Sequence, residues 1–146
     1  MPRLLVVHHT PSPALAAILQ AVKEGVALAD GVELVVRPAL SAGAADLLAA
    51  DGVLLGTPAN IGYMSGALKH FFDTVYYPCL EATGGLPYGV YVHGNDDTAG
   101  ALASIQRITG ALGWKLAAAP LSLTGAPGQA ELEACRELAA TVAVSL

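Results

Sequence analysis

The fold is read from Gly52-Val-Leu-Leu-Gly-Thr-Pro-Ala-Asn-Ile-Gly-Tyr-Met-Ser-Gly-Ala-Leu-Lys-His-Phe-Phe-Asp73. Residues 52–56 run apolar with no polar interruption, as a strand buried on both faces does. Pro58, Asn60 and Gly62 then break the run into a loop. From about Ser65 onward, Leu68, Phe71, Phe72 and Val75 recur at i, i+3, i+4 and i+7, which is one face of a helix. Strand, loop and helix follow one another in that order.

The same unit repeats on either side. Arg3-Leu-Leu-Val-Val-His8 is a strand bounded by Pro2 and the Thr10-Pro11 turn. Leu15, Ile18, Leu19, Val22 and Val26 mark a helix that ends before Gly31. Residues 32–37 form a second strand closed by Pro38, and residues 41–50 a short Ala-rich helix. On the C-terminal side, residues 88–93 make strand four. Leu102, Ile105, Ile108 and Leu112 make a helix capped by Gly113. Residues 115–123 make strand five, weakened by Pro120, and Leu132, Cys135, Leu138 and Val142 mark the last helix. Five strands alternating with five helices give one α/β domain over residues 1–146, a doubly wound five-stranded parallel sheet with helices on both faces. Right-handed crossovers and a chain that opens directly on a strand suit the order 2-1-3-4-5. Ligands bind beyond the carboxyl ends of such strands. The loops of interest are then 8–14, 56–65 and 93–98, with 124–128 as outer support.

Composition narrows the function classes. The 146 residues are enough for one core and too few for two ordinary domains. Seven Lys and Arg against twelve Asp and Glu leave a net charge of −5, so no nucleic-acid partner is expected. Charged residues are 13% of the chain, against about 25% in an average domain, and 54% are hydrophobic. Apolar surface is therefore expected to remain for a homo-oligomer contact. Leu4 to Val7 is too short for a signal segment, and no apolar run reaches about 18 residues, so no membrane span is expected. Cys79 and Cys135 form no CxxC pair, and a reducing cytoplasm is the expected compartment. His8, His9, His93, Asp96 and Asp97 share the expected ligand edge but lack metal-ligand spacing, so no metal is assigned.

In the first loop, His8-His-Thr-Pro-Ser-Pro-Ala14, Ser12 followed by Pro13 is a good N-cap and N1 pair for the first helix. A helix N-terminus flanked by hydroxyls attracts phosphate, and Thr10 and Ser12 are placed to donate to it. Ser12 acting only as the cap is an equally open reading.

The stretch from Pro58 to Asp73 resembles the segment after strand three in NAD(P)H-dependent FMN reductases and quinone reductases of the flavodoxin superfamily. The shared pattern is Gly-Thr-Pro, a short bend with Asn60 and Gly62, then Met64, a small residue, Lys69, Phe and Asp73. The resemblance implies a flavodoxin-like fold and FMN as cofactor. It places the ring against Thr57, Pro58, Ala59, Asn60, Ile61, Gly62 and Tyr63. The physics agrees: Pro58 stiffens the turn, Gly62 permits close backbone approach, and the Asn60 amide suits an N/O ring edge. The loop His93-Gly94-Asn95-Asp96 resembles the family's third flavin loop, with Asp96, Asp97 or Thr98 also able to cap the next helix. The first loop departs from flavodoxins, with Pro13 and Leu15 where a Gly and a second hydroxyl are usual. That shifts the phosphate site onto His9, Thr10, Ser12 and the Ala14 and Leu15 amides. No aromatic stacks from the third loop, which leaves the outer ring face open.

The resemblance implies an oxidoreductase that passes electrons from NAD(P)H through FMN to a quinone or another small acceptor, with no catalytic side chain assigned. The alternatives are a flavodoxin-type one-electron carrier and a cofactor-free module that binds a partner protein. A receiver domain would need an acidic pair where His8 and His9 stand. A dinucleotide-binding GxGxxG is absent after strand one, and Gly62-Tyr-Met-Ser-Gly66 has the wrong spacing for a nucleophile elbow. Lys69 and Asp73 are expected to form a solvated i,i+4 pair, and Phe71 and Phe72 to be core.

Overall fold

The apolar runs become strands and the periodic stretches become helices, in a computed structural model that describes all 146 residues from Met1 to Leu146. The order is β1 (Arg3–His8), α1 (Pro13–Ala27), β2 (Glu33–Pro38), α2 (Ala44–Leu48), β3 (Gly52–Asn60), β4 (Tyr63–Met64), α3 (Gly66–Cys79), β5 (Pro87–His93), α4 (Thr98–Leu112), β6 (Lys115–Leu116), β7 (Leu121–Leu123) and α5 (Gln129–Val144). The main sheet path is β2-β1-β3-β5-β6, with β1–β2, β1–β3, β3–β5 and β5–β6 all parallel.

The sheet has seven strands, not five, and it is not wholly parallel. The expected fifth strand is split. Both β6 and β7 pair with β5, but residues 117–120 leave the ladder around Pro120, which has no N–H to give. The seventh strand is the two-residue β4, which folds back antiparallel on the end of β3. β3 runs to Asn60 instead of stopping at Gly56. Pro58 is tolerated in it because β1 ends opposite Gly56, so beyond that point one side of β3 is an edge. Helix α2 covers only 44–48 of the expected 41–50.

The pleat sorts the strands into two cores. Leu5, Val7, Val53, Leu55, Val90 and Val92 face α2, α3 and α4, where Phe71, Phe72 and Trp114 fill the space. Leu4, Val6, Leu54 and Tyr91 face α1 and α5. Residues 4–7 of β1 are fully buried, so each contributes roughly 1.5–3 kcal/mol of transfer free energy and fixes the register of its neighbours. In that register His8 lies beside Gly56, and Pro58 beside His93. The three loops of interest therefore leave from adjacent strands at one edge. No helix is long and apolar enough to cross a membrane.

Candidate functional site

The middle loop is a β-hairpin. Ala59 pairs with Met64 and Asn60 with Tyr63, which leaves Ile61 and Gly62 as a two-residue turn. Both have positive φ, +53° and +67°, the pattern of a type I′ turn. Glycine suits such a position, but a β-branched isoleucine is an outlier there, with a cost of about 1–2 kcal/mol. Ile61 is also wholly exposed. The turn is held from outside. The Met64 N–H donates to Ser104 Oγ of α4 at 3.1 Å, and the Ser65 N–H to the buried Thr57 Oγ1 at 3.0 Å. Ser65 Oγ in turn caps α3 by accepting from the Leu68 N–H.

Gly62 owes its lack of a side chain to this packing. A Cβ there would run into the Asp97 carboxylate, and a Cβ at Gly100 would run into the Gly62 carbonyl. Likewise a Cβ on Gly94 would come 2.9 Å from the Ala59 Cβ. The hairpin and the third loop are thus packed against each other. Asp97, itself at φ +45°, is the cap of α4 and accepts from the Gly100 N–H at 3.0 Å. His93 Nε2 lies 2.7 Å from the Gly125 carbonyl, which requires the Nε2–H tautomer, and the Gly94 N–H donates to the Leu123 carbonyl.

The first loop is built differently. Its φ values are all negative, with Pro11 and Pro13 as stiffeners. Ser12 does cap α1: its Oγ accepts from the Leu15 N–H at 3.2 Å. The Leu15 amide is therefore committed, while the Ser12 hydroxyl keeps its own proton to donate. His8 Nδ1 and Thr10 Oγ1 are 2.8 Å apart. Burial, and to a smaller degree Lys23 and His9, holds the His8 pKa below its ordinary value, so the ring is neutral at pH 7. With Nδ1 protonated, Thr10 accepts and its O–H is released for an anion.

The chemistry of the edge lies in its backbone donors. In the first loop the amides of Thr10, Ser12 and Ala14 have no partner within the chain; in the hairpin those of Ile61 and Gly62 have none; in the third loop those of Asn95, Asp96 and Asp97 have none. The His9 N–H is used on the Gly56 carbonyl. Two groups of unpartnered N–H on neighbouring loops, with a third at a helix N-terminus between two hydroxyls, can hold an anion at one end and a flat ring with N and O atoms along its rim. The donor set thus fits FMN. No enclosed cavity is lined by these loops; shallow concavities lie on α5, at the strand N-termini, and between α3 and α4.

Of the residues singled out from sequence, the register brings the three groups to one edge. Asp97, not Asp96 or Thr98, is the α4 cap. Ser104 was legible only as one polar residue in a helix; nothing in its spacing marks it as the tether of the hairpin. Lys69 and Asp73 form the expected ion pair, and Phe71 and Phe72 are core.

No family profile matches the chain. A curated protein named Flavodoxin, from Aquifex aeolicus (strain VF5), is 33% identical over 75 residues; the match spans 51% of this chain and 40% of that protein. Among solved structures, a flavodoxin from the domain Archaea superposes with a TM-score of 0.84 at 17% identity, over 98% of this chain and 97% of the other. Oxidised Flavodoxin 2 from Bacillus cereus gives 0.83 at 22% identity over 99% of both chains. A flavodoxin described as WrbA-like, from Agrobacterium tumefaciens, gives 0.82 at 22% identity over 99% of this chain and 97% of that one. With that strand order and these full-length superpositions, the chain has the flavodoxin-like fold.

Proposed function

We propose that the chain binds FMN across the three loops and works as an electron carrier of the flavodoxin type, in the cytoplasm. The observation that carries this reading is the convergence of unpartnered amides from all three loops at one sheet edge. Thr10, Ser12 and the Ala14 N–H would hold the phosphate, with the α1 dipole behind them. The Ile61 and Gly62 amides and the Asn60 side chain would meet the ring edge, and the third-loop amides its other side. His9, Ala59, Tyr63, His93 and Gly94 would shape the walls, with the buried Thr57 and Pro58 supporting them from behind. FMN supplies the electron chemistry when bound; the chain supplies position and local charge, including the exposed carboxylates of Asp96 and Asp97.

A second reading is an oxidoreductase that takes electrons from NAD(P)H and passes them to a quinone or other small acceptor. It is favoured by the aromatic count: Tyr63 is the only aromatic in the hairpin, and residues 93–98 contain none. A ring left open on its outer face has room for a nicotinamide. The low charge content supports a homo-oligomer in either case.

Titration with FMN, followed in the visible spectrum, tests the shared part. Tight binding with a perturbed flavin band is expected, and weaker binding of riboflavin. A colourless protein that takes up no FMN sinks both readings in favour of a cofactor-free module. Photoreduction then separates them: one-electron reduction in stable steps favours the carrier, and rapid bleaching by NADH or NADPH favours the oxidoreductase.

A further inference from the structure

The first loop carries two hydroxyls, and their acceptor sides are occupied by different means. Ser12 Oγ accepts from the Leu15 N–H at 3.2 Å, so its own proton is left for another partner. Thr10 Oγ1 has one partner in the chain, His8 Nδ1 at 2.8 Å. A neutral imidazole carries its proton on either nitrogen. With the proton on Nε2, the Thr10 O–H is spent on the ring. With the proton on Nδ1, Thr10 Oγ1 accepts and its O–H is freed, the state that Ser12 already has.

His8 is held firmly in that position. It is the last residue of β1, laddered to Pro38 on one side and Gly56 on the other. Its carbonyl accepts from the Ala39 N–H, and the His9 N–H is tied to Gly56. Two residues on from Val6, its side chain leaves the sheet on the side of α1 and α5. On that side the Tyr91 ring fills the space over Gly56. Burial, and to a smaller degree Lys23 and His9, keeps the His8 ring neutral at pH 7. The ring therefore brings direction to the loop, not charge.

We infer that His8 is a positioning residue for the phosphate of the flavin: by giving its Nδ1 proton to Thr10, it turns the Thr10 O–H, like that of Ser12, out to a fully ionised phosphate monoester. The role rests on FMN binding at this edge as proposed above, and it names what makes the loop prefer a phosphorylated flavin. The unpartnered amides of Thr10, Ser12 and Ala14 add further donors. A dianionic phosphate meets them with three strong acceptor oxygens. Riboflavin ends instead in a hydroxyl with a proton of its own and gains little from a set of donors.

The quantity to measure is the ratio of FMN to riboflavin affinity, from titrations of the full chain. His8→Phe keeps a flat ring and loses the donor, and it should cut the ratio about tenfold. His8→Asn is smaller but keeps an N–H where Nδ1 stands, and it should hold the ratio close to the wild-type value. Packing alone would rank the two variants the other way round. A Phe variant that keeps the preference, or an Asn variant that loses it, overturns the role. In a Thr10→Val background, whose ratio is already low, His8→Phe should cost nothing further, because Thr10 is its only route to the phosphate. Additive losses would mean that the ring acts without Thr10. Riboflavin should bind all variants alike; a parallel loss of both flavins would make His8 a merely structural residue. Nitrogen NMR of the labelled imidazole in the FMN complex should place a proton on Nδ1, and a bare Nδ1 overturns the role as well. A wild type that binds riboflavin as tightly as FMN fails the phosphate reading itself. One that prefers FMN, with His8→Phe preferring it equally, fails this inference alone.

Discussion

The first loop and the hairpin sit on neighbouring strands at the same edge, yet they are stabilised in opposite ways. The first loop has two prolines, no glycine and no positive φ. Its shape is set by its own rings, and its outward donors answer to nothing else in the chain. The hairpin has two successive positive φ values, one of them at Ile61, and it holds only because Thr57, Asp97 and Ser104 brace it. A self-supporting loop can lose a donor and leave the fold alone. A braced loop cannot, because its support runs through α4 and the third loop. Changes in the first loop should therefore show mostly in ligand affinity, and changes in the hairpin in stability as well.

The largest effect is expected beneath both loops. Gly56 lies in β3 between His8 and Tyr91, and a Cβ there would enter the Tyr91 ring. That ring is buried, and its hydroxyl finds no partner. Gly56→Ala should cost about 3 kcal/mol or more, since a fixed ring in a packed core cannot step aside. Thermal melting measures it. Adding Tyr91→Leu should recover part of the loss; a single variant that melts like the wild type would show that the ring has room to move.

Next comes Gly62→Val, which separates the two loops most directly. If Gly62 served only to permit close backbone approach to the ring, its substitution would cost flavin affinity and leave the unliganded fold untouched. The packing says otherwise. A left-handed backbone costs a β-branched residue about 1–2 kcal/mol, and displacing Asp97 removes the α4 cap, about 1 kcal/mol more. A loss of about 2–3 kcal/mol in the apo protein is expected along with weaker FMN. Unchanged apo melting would mean that hairpin and third loop are not braced together.

How much of this was legible follows from which interactions repeat. The strands were readable because Leu4 to Val7 and Val53 to Leu55 are unbroken apolar runs, and the strand path followed from their alternation with helices. The split of the last strand was half readable, through Pro120. The hairpin was not, because Thr57-Pro58-Ala59-Asn60 contains turn residues and yet continues β3; β4 pairs with Ala59 and Asn60, beyond the points where the ladders to β1 and β5 end, a fact of three-dimensional register. Gly62 is legible as a position that needs its missing Cβ, but its packing against Asp97 is not. Flexible approach to a ring and close packing against Asp97 demand the same missing Cβ, and a sequence cannot tell them apart. Ser104 carried no signal, since its role is set by a backbone forty residues away.

In the first loop the paired change Thr10→Ala with Ser12→Ala should weaken FMN by about 1–3 kcal/mol, from lost bonds to a charged group, and leave riboflavin nearly unaffected. The loss of the Ser12 cap should lower stability by about 1 kcal/mol, less than in the hairpin variants. Equal losses for FMN and riboflavin would move the phosphate elsewhere and erase the contrast between the loops.

The smallest expected change is the most informative about strain. Asparagine tolerates the left-handed region far better than isoleucine, and it places no apolar side chain in water. If Ile61 were only a tolerated flaw, Ile61→Asn would raise the melting point, by no more than about 1 kcal/mol in stability, and change nothing else. Strained residues that persist at a site are usually retained for what they do there. Ile61 stands at the tip where ring and solvent would meet, so the expected result is split: higher apo stability together with weaker FMN binding or an altered flavin potential. Titration and melting of the same preparation decide it. A gain in stability with binding and potential unchanged would remove Ile61 from the site and leave the hairpin's function to its two unpartnered amides.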